Sequence, residues 1–419
     1  MLSVSIYFKK SINWKMNKIC VIGLGYVGLP ICSIISKKYQ TIGFDINKKR
    51  IETLNKKDDF NKEFHKRDLQ KLKINFTANV TKIKNCNFYI ICVPTPVTKS
   101  NIPDLNYIHK SFITISKILK RGDIIILEST VYPGVTDKFS NLLEQKTGLK
   151  NNKDFFVCYS PERINPGDKK NNLTKINKIF AIETNDKKII YKIKSVYKHI
   201  CKNLIITKHI KEAETAKVIE NIQRDLNIAI FNEILFFCEK SKINFSEVIR
   251  LAKTKWNFIN FNPGLVGGHC LPVDPFYLSY AASKKKIKTI TTLAGRKTND
   301  KMEYYVLDRF KNFIKKNKSI KKNKNILIIG LSYKYGVSDM RNSINLRIYE
   351  KIKNIYKKTY ALDPFVNDAK VLKKIEYSKV KKFDVVLFLS KGPIFKKIYK
   401  EIKKRRPEII LDPFYYFNK

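Results

Sequence analysis

The sequence predicts an α/β protein in which two parallel-sheet domains are joined by a long central helix. From Met16 to about residue 200, short apolar runs alternate with longer mixed segments. A long helical pattern follows from about residue 209, and strand-like runs resume after about residue 320. Alternating strands and helices are typical of a parallel sheet that is covered by helices.

Five apolar runs predict buried strands in the first part of the chain: KICVIG, TIGFDI, FYIICV, DIIILE and DFFVCYS. We therefore expect a first α/β domain over residues 16–208. Residues 1–15, MLSVSIYFKKSINWK, lack a small-residue cleavage site and precede a second methionine, Met16. They are expected to be an N-terminal extension or to precede the true start.

The central part of the chain, residues 209–310, is expected to be helical and to carry a functional loop. Residues 209–255 include KEAETAKVIENIQRDLNIAIFNEILFFCEKSK, which has neither proline nor glycine and repeats apolar residues every three or four positions. This helix is expected to join two domains and can carry a dimer face. The loop FNPGLVGGHCLPVDP follows at 261–275, and loops of this kind tend to hold function.

A second α/β domain is expected over residues 320–419. After the basic stretch KKNKSIKKNKN, four strand-like runs follow: ILIIG, YALDP, DVVLFLS and EIILDP.

Composition limits the class of protein and of partner. The chain has 419 residues, 43% apolar content and a formal net charge of +48, so it is long and apolar enough for globular domains. The lysines are spread among abundant Ile and Asn, which favours drift toward A/T-rich codons over a nucleic-acid partner, although a polyanion-binding role stays open. Eight scattered cysteines with no CxxC pair and no export signal suit a cytoplasmic protein.

One uncharged run, ICVIGLGYVGLPICSIIS at 19–36, approaches the length of a membrane-spanning helix. It contains three glycines and a proline, and a buried strand that turns into a helix explains it better. The sequence therefore predicts no transmembrane segment and no membrane partner.

The same run contains a dinucleotide-binding pattern. Gly23, Gly25 and Gly28 form GxGxxG between a predicted strand and a predicted helix, and Asp45 closes the next strand. The first glycine allows a tight turn, the second lets the backbone approach a pyrophosphate, and the third lets helix and strand pack closely. Asp45 would accept a hydrogen bond from the ribose 2′-hydroxyl, which favours NAD over NADP. The alternative is a glycine turn with an unrelated surface aspartate.

Cys270, in GGHCLPVDP, is a candidate nucleophile. A thiolate there could attack an aldehyde to give a thiohemiacetal, and loss of hydride to a nicotinamide would leave a thioester for water to cleave. This chemistry converts an alcohol to an acid in two oxidations. Taken alone, a single cysteine is more often a packed small hydrophobe, the interpretation that we assign to the other seven. His269 is expected to be structural.

Three further polar residues could act on the same substrate. Lys217 and Asn221 lie four residues apart in AKVIEN, so on a helix they share a face and could stabilise one developing oxyanion. The alternative is an exposed polar face. Glu162, in YSPERINPGD, could act as a base or hold a water, or be an ordinary loop residue.

Together these residues resemble the UDP-glucose/GDP-mannose dehydrogenase family, and the resemblance covers nearly the whole chain from Met16 onward. Eight motifs agree in order: MNKICVIGLGYVGLP, VPTPV, PDLNYI, ESTVYPGVT, YSPERINPGD, EAETAKVIENIQRDLNIAIFNE, TKWNFINFNPGLVGGHCLPVDP and AGRKTND. Within the family, TKWNF, SPERINPGD and IENIQRDLNIA are most similar to bacterial enzymes that act on UDP-N-acetylhexosamines for surface polysaccharide synthesis.

The resemblance implies an NAD-dependent 6-dehydrogenase of UDP-N-acetylglucosamine or UDP-N-acetylgalactosamine, a cytoplasmic homodimer with two Rossmann-like domains, whose C-terminal domain binds UDP. It implies Cys270 as the nucleophile, with Lys217, Asn221 and Asp274 assisting the oxyanion and the hydrolytic water. Thr130 and Glu162 match further water-positioning or acid/base groups. No metal is implied, and the sequence leaves the epimer open.

The resemblance also implies two sets of binding residues. Arg50 matches a position on the adenosine side of NAD, and Arg341 one that reaches the cofactor from the last domain. The expected cofactor-binding residues are Gly23, Gly25, Tyr26, Val27, Gly28, Asp45, Arg50, Thr95, Thr130 and Arg341. The expected substrate-binding residues are Glu162, Arg163, Lys217, Asn221, Phe261, Gly267, Tyr333 and Lys334.

Departures from the family pattern lie mainly on the C-terminal side. Where similar enzymes commonly read GLTFKENCPDLRNS, this chain has GLSYKYGVSDMRNS at 330–343. FLSKGPIF has Lys391 where a histidine is usual, and KIFAIE at 178–183 lacks the usual small-residue ending. Three alternatives remain: a UDP-glucose or GDP-mannose dehydrogenase, a two-electron dehydrogenase of another substrate for which Cys270 is dispensable, and a nucleic-acid-binding protein with an inactive dehydrogenase fold.

Overall fold

The computed structural model describes residues 17–61, 63–163, 173–316, 324–366, 368–374 and 382–417. The predicted N-terminal extension, residues 1–15, lies outside the described residues. Among the described helices, none combines the length and the apolar character that crossing a bilayer requires. The uncharged run at 19–36 is instead a buried strand followed by a short helix, as predicted.

The first sheet has eight strands in the order β3-β2-β1-β4-β5-β6-β7-β8. Its strands are β1 Lys18–Ile22, β2 Gln40–Phe44, β3 Ile74–Thr77, β4 Phe88–Ile91, β5 Ile124–Leu127, β6 Phe156–Tyr159, β7 Asn177–Ala181 and β8 Asn203–Thr207. Neighbouring strands are parallel except β6 and β7, which meet antiparallel at Tyr159 and Ala181. The five predicted strands correspond to β1, β2, β4, β5 and β6, and the other three were not predicted from the sequence.

Six helices accompany this sheet: α1 Gly28–Ile35, α2 Lys48–Asn55, α3 Lys66–Gln70, α4 Asn106–Ser116, α5 Val135–Thr147 and α6 Lys187–Tyr197. Successive residues of β1 enter different cores, Ile19 and Val21 on one face and Cys20 and Ile22 on the other. A parallel sheet that is buried on both faces needs such continuously apolar strands. This explains why the central strands were recognisable from sequence.

The long helix, α7, runs over Ile210–Lys240 and is 31 residues long, or roughly 46 Å. The predicted continuation of this helix to residue 255 is wrong. Lys242 has a left-handed φ of 56°, and the Asn244 side chain accepts a hydrogen bond from Glu247 N at 3.2 Å, which caps a separate helix, α8 Phe245–Ala252. A turn with its own N-cap therefore ends the helical run.

Two further helices, α9 Asp274–Ser283 and α10 Ile290–Lys316, complete the central part. The second sheet has the order β11-β10-β9-β12-β13, and all of its pairs are parallel. Its elements are β9 Ile326–Ile329, α11 Ile344–Ile355, β10 Thr359–Leu362, β11 Val371–Leu372, β12 Val385–Phe388, α12 Pro393–Arg405 and β13 Ile410–Leu411. The predicted fold class, two parallel-sheet units with a long helix between them, is confirmed.

Candidate active site

A cavity of about 1600 Å³ opens where the carboxyl ends of both sheets face α7 and the loop that precedes α9. Its lining includes the turn after β1, the ends of β4 and β5, one face of α7 and the segment after β12. In open α/β sheets the carboxyl ends of the strands are where ligands bind. Most of the residues predicted from the sequence as site residues line this cavity.

The glycine turn at the first sheet has the shape that a pyrophosphate requires. Gly23 has φ 89°, and a Cβ there would lie 2.7 Å from Cys92 O. A Cβ on Gly28 would lie 1.8 Å from Gly23 O, whereas a Cβ on Gly25 would meet nothing within 4 Å. Packing thus requires the first and third glycines, while the second keeps the cavity side of the turn open. Tyr26 and Val27 line the cavity beside it.

Asp45 follows β2 and is oriented by the backbone. Its Oδ2 accepts a hydrogen bond from Leu24 N at 2.9 Å, and its Oδ1 accepts one from Asn47 N at 2.9 Å. A carboxylate has about four lone-pair sites, so Asp45 can also accept from a ribose hydroxyl in the cavity. Its negative charge disfavours a 2′-phosphate, which agrees with NAD.

Arg50 is a buried cation with a donor to spare. The residue is 2% exposed, its Nε donates to Leu24 O at 2.9 Å, and one guanidinium nitrogen pairs with Asp59 at 2.6 Å. The other guanidinium nitrogen has no hydrogen-bond partner among the described residues. Buried donors normally have a hydrogen-bond partner, so this unpaired guanidinium nitrogen at the cavity wall is suited to donating to a bound cofactor. Asp59 had no signal in the sequence.

Besides Thr130, two predicted cofactor residues come from farther along the chain. Arg341 pairs with Asp339 at 2.9 Å, and its guanidinium lies over the Tyr26 ring, 5.2 Å from the centroid. Thr95 lines the cavity, and its carbonyl oxygen accepts a hydrogen bond from the Tyr277 hydroxyl at 3.0 Å. The open glycine turn, the oriented Asp45 and the orphaned Arg50 nitrogen together fit NAD at this end of the cavity.

Cys270 lies in the loop before α9, and its carbonyl oxygen accepts hydrogen bonds from Val273 N at 3.0 Å and Asp274 N at 2.9 Å. It is exposed at the cavity, whereas the other seven cysteines are buried. Desolvation by the cavity walls, reinforced by Asp274, raises the pKa of the Cys270 thiol to about 12, while Lys217 acts in the opposite direction. At neutral pH the thiol is therefore protonated, and a neighbouring base must take its proton before it can attack.

Lys217, Asn221 and Asp274 meet beside Cys270. Asn221 Nδ2 donates to Asp274 Oδ2 at 2.5 Å. Burial raises the pKa of Asp274 to about 6, against the opposing effects of Lys217 and Asn221. Burial alone would lower the pKa of Lys217, but the carboxylates of Asp274 and Glu162 outweigh it and raise that pKa. Lys217 is therefore a stable cation, suited to holding an oxyanion.

Glu162 follows β6 and points into the same cavity. Its backbone N donates to Glu128 O at 3.2 Å, and its Oε1 is buried without a hydrogen-bond partner among the described residues. Burial raises the pKa of Glu162 to about 7, while Lys217 and Lys178 lower it. A carboxyl group with a pKa near the working pH is suited to accepting and returning a proton.

The remaining predicted residues, which are Thr130 and the other expected substrate-binding residues, divide into two groups. Thr130, Arg163, Gly267, Tyr333 and Lys334 line the cavity. Phe261 does not belong to its lining. The Phe261 ring packs against that of Phe231, with 6.3 Å between the centroids, so its predicted substrate contact has no support from this structure.

Two charged cavity residues of α7, Glu220 and Arg224, were not predicted from the sequence. Glu220 forms an ion pair with Arg163. Both were detectable, because with Lys217 and Asn221 they occupy positions i, i+3, i+4 and i+7 of one helix face. Glu128, which lines the cavity after β5, was not predicted as a site residue either, although it is the first residue of the motif ESTVYPGVT.

Sequence models of the UDP-glucose/GDP-mannose dehydrogenase family match three successive parts of the chain. Residues 17–201 match its NAD binding domain, residues 211–301 its central domain, and residues 327–419 its UDP binding domain. The matched NAD binding domain contains the glycine turn, Asp45 and Arg50, which agrees with the geometry at that end of the cavity.

Individual relatives agree with the family match. A UDP-N-acetyl-D-glucosamine 6-dehydrogenase of Salmonella typhi is 44% identical over 361 residues, covering 84% of each chain. Protein CapL of Staphylococcus aureus is 39% identical over 411 residues, covering 95% of this chain and 94% of CapL. The structure of a UDP-D-ManNAc dehydrogenase from Pyrococcus horikoshii superposes with a TM-score of 0.80 and 31% identity, covering 94% of this chain and 93% of that one. The chain therefore belongs to the UDP-glucose/GDP-mannose dehydrogenase family and is an NAD-dependent nucleotide-sugar dehydrogenase.

Proposed function

We propose that this enzyme oxidises the C6 hydroxymethyl group of a UDP-N-acetylhexosamine to a carboxylate, in two NAD-dependent steps that use Cys270 as the nucleophile. The observation that carries the proposal is the exposure of Cys270 at the cavity, which the glycine turn of the NAD binding domain and residues of the UDP binding domain also line. The product would serve surface polysaccharide synthesis.

Identity among relatives favours an N-acetylglucosamine-type substrate. The chain is 44% identical to the Salmonella typhi UDP-N-acetyl-D-glucosamine 6-dehydrogenase, and 33% identical to the UDP-N-acetyl-D-mannosamine dehydrogenase of Pyrococcus horikoshii. UDP-N-acetylgalactosamine remains the alternative within the proposal, because it differs from UDP-N-acetylglucosamine by the orientation of one hydroxyl group.

In the proposed mechanism, bound NAD supplies the hydride acceptor for each oxidation. Lys217 and Asn221 donate hydrogen bonds to the substrate's C6 oxygen, where negative charge develops. As C6 loses its first hydride, Glu162 accepts the hydroxyl proton and passes it to water. Glu162 then accepts the thiol proton of Cys270 as the Cys270 Sγ bonds to the aldehyde carbon, and loss of a second hydride from that carbon leaves a thioester on Cys270. The pKa of Glu162, about 7, allows this carboxyl to hold the proton and later release it to water.

The second half of the reaction needs a water held against the thioester carbon. Asp274 and Thr130 line the cavity, and we assign them to positioning this water. Asp274, with a pKa of about 6, is mostly ionised at neutral pH and accepts a proton from the water as it attacks. The bond between the carbon and the Cys270 Sγ then breaks, and the sulfur takes the proton that Asp274 accepted, which regenerates both the thiol and the Asp274 carboxylate.

The assembly and location of the enzyme are part of the same proposal. Three apolar residues of α7 are more than half exposed, Ile219, Ile230 and Phe237. Their spacings of 11 and 7 residues place them on one stripe of the helix, and such stripes usually bind another apolar surface. We assign this stripe to a homodimer contact. The reaction needs a reduced thiol and NAD, both of which a cytoplasm supplies.

The test measures NADH formed per sugar by the purified enzyme, with UDP-N-acetylglucosamine, UDP-N-acetylgalactosamine, UDP-D-ManNAc, UDP-glucose and GDP-mannose in parallel. We expect two NADH for each sugar with one of the first two substrates, and no more than one NADH for each sugar when Cys270→Ser is used, because only the second oxidation passes through the thiol. A single NADH per sugar, together with full activity of Cys270→Ser, would show a two-electron dehydrogenase. Turnover of only UDP-glucose or GDP-mannose would overturn the substrate assignment.

A further inference from the structure

A buried polar cluster lies directly behind the catalytic carboxyl Glu162. Glu128 follows β5, Lys178 is in β7, and both side chains are 0% exposed. Lys178 Nζ lies 2.5 Å from Glu128 Oε2, and the hydroxyl of Tyr197, in α6, donates to Glu128 Oε1 at 2.6 Å. Burying an ion pair costs desolvation free energy that its attraction often fails to recover. The proposed mechanism gives this cluster no role.

The cluster holds one particular peptide group. Lys178 Nζ donates to Pro161 O at 3.1 Å, and Glu162 N donates to Glu128 O at 3.2 Å. Pro161 O and Glu162 N belong to the same peptide unit, so both of its polar atoms are bound. Because this unit is planar, binding both atoms fixes the orientation of the backbone from which the Glu162 side chain enters the cavity.

The cluster also shapes the charge around Glu162. Lys217, in α7, and Lys178 favour the ionised carboxylate, whereas Glu128 and Asp274 oppose it. Lys178 therefore acts on Glu162 in two ways, by direct attraction and by neutralising the charge of Glu128. Tyr197 supports the pair by holding the second oxygen of Glu128.

We propose that Lys178 and Glu128, supported by Tyr197, are positioning residues that orient Glu162 and set the fraction of it that is ionised during turnover. The inference rests on the proposed function, in which Glu162 accepts the thiol proton. Lys178 lies at the start of KIFAIE, the segment whose ending departs from the family pattern.

The test titrates Glu162 in the intact enzyme without substrate, using the infrared band of its protonated carboxyl group, identified as the band that Glu162→Gln removes. In Lys178→Met, loss of the cation should raise the pKa of Glu162 by about one unit. In Glu128→Gln, loss of the opposing carboxylate should lower it, and the isosteric amide retains most of the hydrogen bonds. Lys188→Met removes an equal charge from the exposed start of α6 and should leave the pKa of Glu162 unchanged.

Opposite shifts in these two variants support the inference, because a merely structural cluster would lower the melting temperature of both without moving the pKa of Glu162 in opposite directions. A pKa of Glu162 that is unchanged in folded Lys178→Met overturns it. If Lys178→Met does not fold, Glu128→Gln decides, and an unchanged pKa there overturns the inference as well.

Activity provides a second readout. The acidic limb of the pH profile for NADH formation should move to higher pH in Lys178→Met, and turnover on that limb should fall by up to about tenfold. If no nucleotide sugar yields NADH but the two carboxyl titrations still shift in opposite directions, the proposed function fails while the inferred control of Glu162 stands. The two failures are therefore distinguishable.

Discussion

In both sheets of this enzyme an aspartate binds the turn after the first strand, an arrangement that we call the brace. Only the first sheet, however, can bind a dinucleotide. In both, the first strand ends in a glycine with φ 89°, Gly23 in one sheet and Gly330 in the other. In both, an aspartate at the end of the neighbouring strand accepts a hydrogen bond at 2.9 Å from the residue after that glycine; these aspartates are Asp45 and Asp363. The brace is therefore a property of the fold and not of the ligand.

The difference begins two residues after each glycine. Gly25 leaves open space beside the first turn, whereas Ser332 occupies the corresponding position of the second and donates a 3.1 Å hydrogen bond to Asp363 through its backbone N. Asp363 is fully buried, while Asp45 lines the cavity. A dinucleotide needs both an open turn and an accessible carboxylate, so shared backbone geometry alone does not define a cofactor site.

The largest expected effect is that of Cys270→Ser, which should slow the chemical reaction without weakening the binding of NAD or of UDP. Cys270→Ser should lower the rate at which the uronic acid product forms by about 10⁴-fold or more, the loss typical when a catalytic nucleophile is removed. The dissociation constants for NAD and for UDP, measured by calorimetry, should stay within about twofold, because Cys270 belongs to neither sheet. An Ala substitution at the buried Cys201 is the control and should retain activity. Weaker NAD binding in Cys270→Ser would contradict this separation.

The two aspartates provide a matched pair of variants. Asp45→Asn should raise the dissociation constant for NAD by about tenfold, which corresponds to one lost charged hydrogen bond, with little change in melting temperature. Asp363→Asn should instead destabilise the protein by about 2 kcal/mol, because a buried acceptor of backbone N–H groups is replaced by a group that is partly a donor. Equal effects of the two variants on NAD binding would show that the two braces are equivalent.

The open position at the first turn can be tested by closing it. Gly25→Ala places a methyl group where nothing lies within 4 Å, so the free energy of unfolding should change by less than about 1 kcal/mol. NAD binding should nevertheless weaken by about tenfold, because the methyl group occupies the path of the pyrophosphate. The reciprocal variant, Ser332→Gly, should create no NAD affinity in the second sheet. Unchanged NAD affinity in Gly25→Ala would show that the pyrophosphate of NAD does not bind beside Gly25.

The smallest expected effect concerns the second sheet, where the usual histidine is replaced by Lys391. Burial lowers the pKa of Lys391, and its Nζ lies 5.7 Å from the centroid of the Tyr416 ring at the cavity wall. Lys391→Gln should raise the KM for the UDP-sugar by about threefold to tenfold and leave the affinity for NAD unchanged. Lys397→Gln, on the exposed side of α12, should do neither. A change in NAD affinity in Lys391→Gln would instead place Lys391 beside the bound NAD, which contradicts its assignment to UDP-sugar binding.

Continuously apolar strands were predictable from the sequence, and mixed ones were not. β1, β4 and β5 are buried over nearly their whole length, so their residues read as uninterrupted apolar runs. β8 is an edge strand in which no residue is fully buried, and β7 carries Lys178 in its interior. The end of α7 was misjudged for a related reason, since the helical period continues across the turn at Lys242 into α8.

The candidate site likewise has features that were predictable from the sequence and features that were not. The sequence by itself determined the glycine turn, the strand before it, Asp45 at the end of the next strand and the shared face of Lys217 and Asn221. Each of these depends on neighbours that are close along the chain, whose geometry follows from backbone sterics and helical or strand period.

Only the tertiary structure decided which of these groups act together. Asn221 and Asp274 are 53 residues apart yet share a hydrogen bond, and Lys178 reaches Glu128 across 50 residues. Packing also decided their ionisation, because burial raises the pKa of Glu162 to about 7 and that of Asp274 to about 6. Desolvation and contacts between distant segments exist only once the chain has folded, and no local pattern of residues encodes them.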